Sequence, residues 1–295
     1  MKVSLPSPGC IGAVVEQVRI PELTSSELTD LKDLVYRHKL VVLHDVELSD
    51  ADYVAWGRRM GKPQRYFQDH YHHPDHPEIF VSSNVPMDGH KVGVAATGRF
   101  WHSDYQFFDE PLSLTSVYPK ILPEGPRSTL FIDMVAALER LPSHLRTSLE
   151  GRTCFHEAVM YYKIQPADMD RAIAELMEEF RRLSPGARHP AIITHPVTGQ
   201  RALYISQGFT MKIDGFSHER SQELLEELFA FLNQPENLHE QVWTRGDLML
   251  WDNRTLIHRS SGKFGGQPST NYRVGIYDGL EFYEGCKLEE TAVDV

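Results

Sequence analysis

Three cysteines in 295 residues, Cys10, Cys154 and Cys286, give the chain too little sulfur for a disulfide framework. None stands in a Cys-x-x-Cys pair, so no thiolate zinc site is expected and the three read as reduced thiols. Cations are also short, with 30 Lys and Arg against 41 Asp and Glu and a formal net charge of −11. A surface of that sign repels phosphates, which argues against a nucleic-acid partner. No stretch approaches the roughly 18 uninterrupted apolar residues that a membrane span needs. The start, Met1-Lys2-Val3-Ser4-Leu5-Pro6, lacks the apolar core of a secretory signal. The expectation is a cytoplasmic protein without a membrane partner. Internal repeats and low-complexity segments are missing as well.

What is present is enough apolar residue, 41% against 24% charged, to bury a sizeable core. Residues 1–295 are read as one domain, although length alone does not decide this. Thr24-Ser25-Ser26-Glu27 has the spacing of a capping box. The helix it opens carries Leu28, Leu31, Leu34 and Val35 on one face. Leu40 to Leu43 reads as a buried strand, Ser49 to Met60 as a second capped helix, and Glu78 to Ser83 as a strand. Val85 to Gly98 is expected to be a loop. Strands are expected at Ser113 to Tyr118 and at Ser128 to Ile132, where Asp133 opens a helix. Ala167 to Leu183 is amphipathic. Ala191 to His195 and Ala202 to Ile205 form a hairpin through Thr198-Gly199-Gln200. Ser217 opens a helix, and the last strands are Gln241 to Thr244, Leu248 to Trp251 and Asn271 to Tyr277. Many short strands with a few helices fit a mainly β jelly roll with flanking helices.

Two stretches carry chemistry. In Phe100-Trp101-His102-Ser103-Asp104, an imidazole and a carboxylate are two residues apart, and on a strand they would face the same side. Far downstream, Gly246 to His258 is a hydrophobic run, a polar Asp252-Asn253-Arg254 turn and one His, followed by Asn271-Tyr272-Arg273. Two imidazoles and one carboxylate are the facial set that holds non-haem Fe(II). The His70-Tyr71-His72-His73 cluster, with His76 and His90, has no fixed helical spacing. Pro74 and Pro77 mark it as a pocket-lining or surface loop rather than a second metal site.

Trp-His-x-Asp, Gly-Asp-x-x-x-Trp-Asp-Asn-Arg-x-x-x-His and Tyr-Arg, in that order, resemble the taurine dioxygenase-like group of Fe(II)/2-oxoglutarate oxygenases. Lys39 to Leu43 and His195-Pro196-Val197-Thr198-Gly199 resemble segments of the same family. The resemblance implies a double-stranded β-helix with a helical insert, roughly 133–190 and 217–233, between the second and third ligands. It also implies Fe(II) on His102, Asp104 and His258, with 2-oxoglutarate and O2 as co-substrates. Arg273 would pair with the far carboxylate of 2-oxoglutarate, because a guanidinium matches a carboxylate bidentately. Thr129 would help hold the same molecule, and Arg127 would meet either it or the substrate. Asn253 and Arg254 would organise the turn before His258. Trp101 and Trp251 would either wall the site or belong to the core.

Tyr66 to Ser83 and Tyr161 to Asp168 resemble a subgroup, the isonitrile-forming oxygenases of bacterial isonitrile lipopeptide pathways. The implied reaction turns the N-carboxymethyl unit of a 3-amino fatty acid into an isonitrile, so the substrate is a small molecule bearing carboxylates. Lys163, Tyr66 and Tyr71 suit a carboxylate, as a point charge and directional donors. Phe67 and Tyr105 are expected beside them. The subgroup has a second Tyr where Phe67 stands and a His where Gly262 stands, which leaves substrate and co-substrate contacts open. So do two alternatives: a hydroxylase of another small acid (a sulfonate, an aryloxy acid or an amino acid), and a non-catalytic jelly-roll metal-binding protein. Chain length of the substrate, its attachment to a carrier, and oligomeric state, homo-oligomer included, are not legible.

Overall fold

The computed structural model describes residues 1–125, 127–262 and 266–286. The first third supplies β1 (Lys2–Ser4), β2 (Ala13–Glu16), α1 (Ser25–His38), β3 (Leu40–Leu43), α2 (Asp50–Met60), β4 (Lys62–Pro63) and β5 (Phe80–Ser83). The capping box forms as expected: the Thr24 hydroxyl accepts from Glu27 N, and the Glu27 carboxylate accepts from Thr24 N at 2.8 Å. Leu28, Leu31, Val35 and Tyr36 of α1 are buried against the sheet. Lys39 then turns the chain sharply with φ 67°, and its ammonium reaches Asp133 at 2.6 and 2.7 Å.

The strands β6 (Leu114–Ile121) and β7 (Ser128–Asp133) lead into α3 (Met134–Arg140), which Asp133 caps by accepting from Val135 N and Ala136 N. There follow α4 (Ser143–Leu149), β8 (Thr153–His156), α5 (Ile173–Leu183), β9 (Ala187–Pro190), β10 (Ile192–Thr194), β11 (Arg201–Leu203), β12 (Thr210–Ile213) and α6 (His218–Leu232). The chain returns through β13 (Leu238–Val242), β14 (Leu248–Asp252), β15 (Leu256–Ser260) and β16 (Thr270–Tyr277).

The large sheet runs β1-β2-β3-β14-β6-β16-β4, with β5 also on β16, and the small sheet runs β13-β7-β15. Leu40, Val42, Val117, Met249 and Trp251 of the large sheet pack with Phe131 and Leu256 of the small one in a shared core. This is the jelly roll, closed by a β14–β15 turn that passes from one sheet to the other. A second core joins Leu138, Leu145, Leu149, Leu224 and Leu228 of the intervening helices to Trp101 and Ile257.

Several expectations shift. The stretch between Asp104 and His258 is not purely helical, since it also carries a three-stranded sheet β12-β8-β9 and the β10-β11 hairpin. The helix expected from Ala167 begins at Ile173, because the Asp168 carboxylate accepts from Gln165 N at 2.7 Å and Tyr162 Oη at 2.8 Å and closes a separate 3-10 turn. The strand expected at Gln241 to Thr244 is Leu238–Val242, drawn back by five-residue pairing with β7. The strand carrying His258 stands apart from Leu248–Asp252 as β15.

A buried hydrogen bond and a buried ion pair set the β14–β15 turn. His195 Nδ1 accepts from Val197 N at 3.0 Å and Thr198 N at 3.1 Å, so its proton is on Nε2 and is donated to Asp252 Oδ2 at 2.6 Å. Arg254, 1% exposed, donates to Asp278 at 2.8 and 3.0 Å and to Phe282 O at 2.8 Å. Asp278 also accepts from Tyr36 Oη at 2.8 Å. Burial would raise the Asp278 carboxyl, but Arg254, with the Leu280 N–H and the Tyr36 hydroxyl, outweighs it and holds the group below its ordinary range. Arg254→Met leaves that carboxylate buried without its cation, so unfolding in urea at neutral pH should lose about 3–5 kcal/mol. A loss below about 1 kcal/mol would mean that the strands alone hold the turn.

Candidate metal centre and flanking cavities

His258 lies on β15, and its cross-strand partner is His102. His258 N donates to His102 O at 2.8 Å, and His102 N donates to His258 O at 3.1 Å. The two rings are thereby side by side, with centroids 4.2 Å apart. His102 makes only this isolated bridge and Asp104 stands in the turn beyond it, so the expected strand does not form there. The turn, rather than a two-residue strand period, brings the carboxylate back. Asp104 Oδ1 is 3.8 Å from His102 Nε2, and Oδ2 is 3.8 Å from His258 Nε2. One ligand atom from each of the three lies within 4.8 Å of the others, and all three residues are buried.

The protonation states suit a metal. Burial lowers both imidazoles, His258 well below its ordinary value with His102 adding to the effect. His102 Nδ1 donates to Phe100 O at 2.8 Å, which leaves the Nε2 lone pair facing the carboxylate. For Asp104 burial acts upward, but Arg273 and a Thr115 hydrogen bond act against it, and the carboxyl is held at about 2. Two neutral nitrogens and one ionised oxygen could hold Fe(II) as a facial set. Local backbone serves the same end: Gly98 has φ +63°, and a Cβ there would lie 3.3 Å from the His102 ring. Tyr105, just after Asp104, takes φ 61°, an uncommon conformation for a residue with a side chain.

Arg273 on β16 donates to Asp104 Oδ1 at 2.6 Å and lies over the Phe80 ring at 4.1 Å. It divides two cavities. The first is lined by Tyr66, Tyr71, Tyr105, Lys163, His102, Asp104 and Arg273, with Phe100, Phe107, Tyr161, Phe180 and Phe209 as an aromatic wall. The second is lined by Arg127, Thr129, Trp243, Trp251, His258, Asn271 and again Arg273. In it the Arg127 guanidinium lies 4.3 Å over the Trp243 ring and donates to the Ser269 hydroxyl. The Asn271 amide, oriented with its oxygen towards that guanidinium, accepts at 2.8 and 2.9 Å. Trp243 Nε1 donates to Thr129 Oγ1 at 3.0 Å, so the Thr129 proton points elsewhere.

Most of the expected residues thus converge, with exceptions. Phe67 packs against Phe108 and Phe180 and lines neither cavity. Trp101 is a core aromatic whose indole donates to Asn233 Oδ1 at 2.8 Å, whereas Trp251 lines the second cavity. Lys163 reaches the first cavity, but its ammonium also donates to Ala95 O at 2.7 Å and Ala96 O at 2.8 Å. None of the clustered histidines at 70, 72, 73 and 76 lines it; the loop contributes Tyr66, Gln68 and Tyr71 instead. The aromatic wall was missed because its members lie far apart in sequence. Only Tyr105-Gln106-Phe107-Phe108, next to the ligand motif, carried a readable signal.

The comparisons agree with this geometry. Residues 4–274 match the model of the family described as taurine catabolism dioxygenase TauD, TfdA. Pentalenolactone F synthase of Streptomyces arenae is 30% identical over 262 residues, covering 86% of this chain and 88% of that one. The alpha-ketoglutarate-dependent 2,4-dichlorophenoxyacetate dioxygenase of Cupriavidus pinatubonensis is 28% identical over 268 residues, covering 87% and 91%. A taurine dioxygenase structure from Burkholderia xenovorans superposes with TM-score 0.73 at 24% identity, over 93% of this chain and 88% of that one. AAD-2 in complex with Mn(II) and N-oxalylglycine superposes with TM-score 0.75 at 20% identity, over 93% and 97%. Enzymes of this kind use Fe(II), 2-oxoglutarate and O2. With its fold, its converging His-x-Asp…His set and these relatives, the chain belongs to the TauD/TfdA family of 2-oxoglutarate-dependent dioxygenases.

Proposed function

We propose that this dioxygenase converts an N-carboxymethyl-3-amino acid into the corresponding isonitrile, with iron on His102, Asp104 and His258. The observation that carries the reading is the first cavity, where Arg273, Lys163 and the phenols of Tyr66 and Tyr71 surround one space beside His102 and Asp104. Two cations and two hydroxyl donors fit a small molecule with two carboxylates. Burial raises both phenols, Tyr71 to about 12, so they remain protonated donors. Two of the Lys163 N–H groups are taken by the loop carbonyls of Ala95 and Ala96, which aims the ammonium and leaves one donor for substrate. The aromatic wall of Phe100, Phe107, Phe180 and Phe209 excludes water from the reacting carbon.

Bound iron with 2-oxoglutarate and O2 supplies one two-electron oxidation per turnover, with succinate, carbon dioxide and water as by-products. Conversion of R–NH–CH2–COOH to R–N≡C and carbon dioxide removes four hydrogens, two from the methylene, one from nitrogen and one from the carboxyl. Two turnovers are therefore required. Between them the substrate must keep its place, which is the task of Arg273 at one carboxylate and Lys163 with the phenols at the other. We place 2-oxoglutarate in the second cavity. Arg127 and Thr129 line that cavity and not the first, so the far carboxylate is assigned to the Arg127 guanidinium and the Thr129 hydroxyl. This revises the pairing with Arg273 expected from sequence.

Arg127→Leu should weaken 2-oxoglutarate by tenfold or more, since breaking a buried charge pair costs on the order of 2–5 kcal/mol and about 1.4 kcal/mol is a factor of ten. Iron stoichiometry should stay unchanged. An unaltered titration of the iron–2-oxoglutarate absorption band would return that carboxylate to Arg273.

Lys163→Met deletes the charge and keeps the apolar stem. Isonitrile formation should fall steeply while succinate release, measured beside it, persists. Burial and then Arg99 lower the Lys163 ammonium to about 8, so the charge is present below that pH and lost above it. Wild-type product formation should decline as pH rises through about 8, and the variant should lack that limb. A substrate with a single carboxylate, such as an aryloxy acid, would use Arg273 and leave Lys163 idle. Wild-type product formation in Lys163→Met would support that second reading.

A further inference from the structure

Thr115 on β6, in the large sheet, is fully buried and lies away from both cavities. Its hydroxyl is nonetheless 2.7 Å from Asp104 Oδ2. The direction of that hydrogen bond is fixed from behind. Trp251 Nε1, which can only donate, is 3.0 Å from Asn253 Oδ1. The Asn253 amide is therefore oriented with its nitrogen towards Thr115, and Nδ2 donates to Thr115 Oγ1 at 2.8 Å. With its oxygen already accepting, Thr115 has its single proton to give, and it gives it to Asp104. Asn253 is itself held by its backbone, donating to Ser113 O at 3.0 Å and accepting from Ser103 Oγ at 2.8 Å. The Trp251 ring also packs against His258, with centroids 4.7 Å apart.

We propose that Thr115 is a positioning residue of the metal centre, the last donor in a one-way relay from Trp251 through Asn253 that fixes the orientation of the Asp104 carboxylate. The inference rests on the reading of Asp104 as a metal ligand. All four side chains are nearly or wholly buried, so water does not replace a missing donor easily. Outer partners that orient a ligating group typically change metal affinity by about 10–100-fold when removed.

The test is metal affinity of the intact chain, read with Mn(II) as a redox-inert probe, for Thr115→Val, Thr115→Ser and Trp251→Phe. Asp104→Ala serves as the reference for a lost site. If Asp104→Ala binds Mn(II) like wild type, the ligand reading itself fails, and the relay with it. If it does not, Thr115→Val should bind about 10–100-fold more weakly. Thr115→Ser, which restores the donor, should return near wild type, and Trp251→Phe should shift in the direction of Thr115→Val by less. A hydroxyl with a merely structural role would lower the unfolding temperature and leave the affinity of the folded protein untouched. Wild-type affinity in folded Thr115→Val overturns the proposal. Should that variant not fold, wild-type affinity in Trp251→Phe overturns it.

Discussion

A carboxylate buried among aromatic rings is the constraint on which the rest of this structure turns. Asp104 is 3% exposed, and an isolated anion there would take up a proton rather than stay charged. It stays ionised because a cation on β16 and a hydroxyl on β6 face it. Arg273 and Thr115 come from strands outside the turn that carries Asp104, so the buried charge is tolerated only when the jelly roll is complete. That links folding to chemistry: the two sheets bury an apolar core between them, and a few polar side chains at its margin make one anion tolerable and useful.

The same arrangement separates the molecule's tasks in space. Arg273, fixed on Asp104, stands between a cavity walled by aromatic rings and one backed by Arg127 and Trp243. On the function proposed here, the first would hold a substrate through two oxidations and the second a co-substrate renewed for each. The β14–β15 turn, with Arg254 on Asp278 and His195 on Asp252, holds the strand of the third ligand against the strand of the relay. Distances at the centre therefore depend on polar contacts well outside it.

Much of this was legible in the chain before folding. The capping box, the apolar Leu40 to Leu43 run and the Asp133 cap are local signals, and each formed where local energetics place it. His102, Asp104 and His258 were legible because their order and spacing are distinctive, although a turn rather than a strand brings the first two together. What was not legible depends on tertiary placement. Thr115 reads as one more strand residue until the Asn253 amide is seen to point its proton at Asp104. Arg127 and Arg273 both read as cations for a carboxylate, and only tertiary placement puts Arg127 in the second cavity and Arg273 on Asp104. Phe67 resembled a substrate contact by its neighbours in sequence, yet its ring turns into the packing of Phe108 and Phe180. Lys163 pointed to a free cation, whereas two backbone carbonyls already claim part of it.

The most direct measurement is the product ratio with N-carboxymethyl-3-aminobutanoate and longer homologues, labelled with carbon-13 in the N-methylene group. The enzyme, loaded with Fe(II) and given 2-oxoglutarate and O2, would be followed by mass spectrometry for isonitrile and succinate together. The account predicts labelled isonitrile carbon and two succinates for each isonitrile formed. A hydroxylated product that accumulates at one succinate each, without isonitrile, would contradict it.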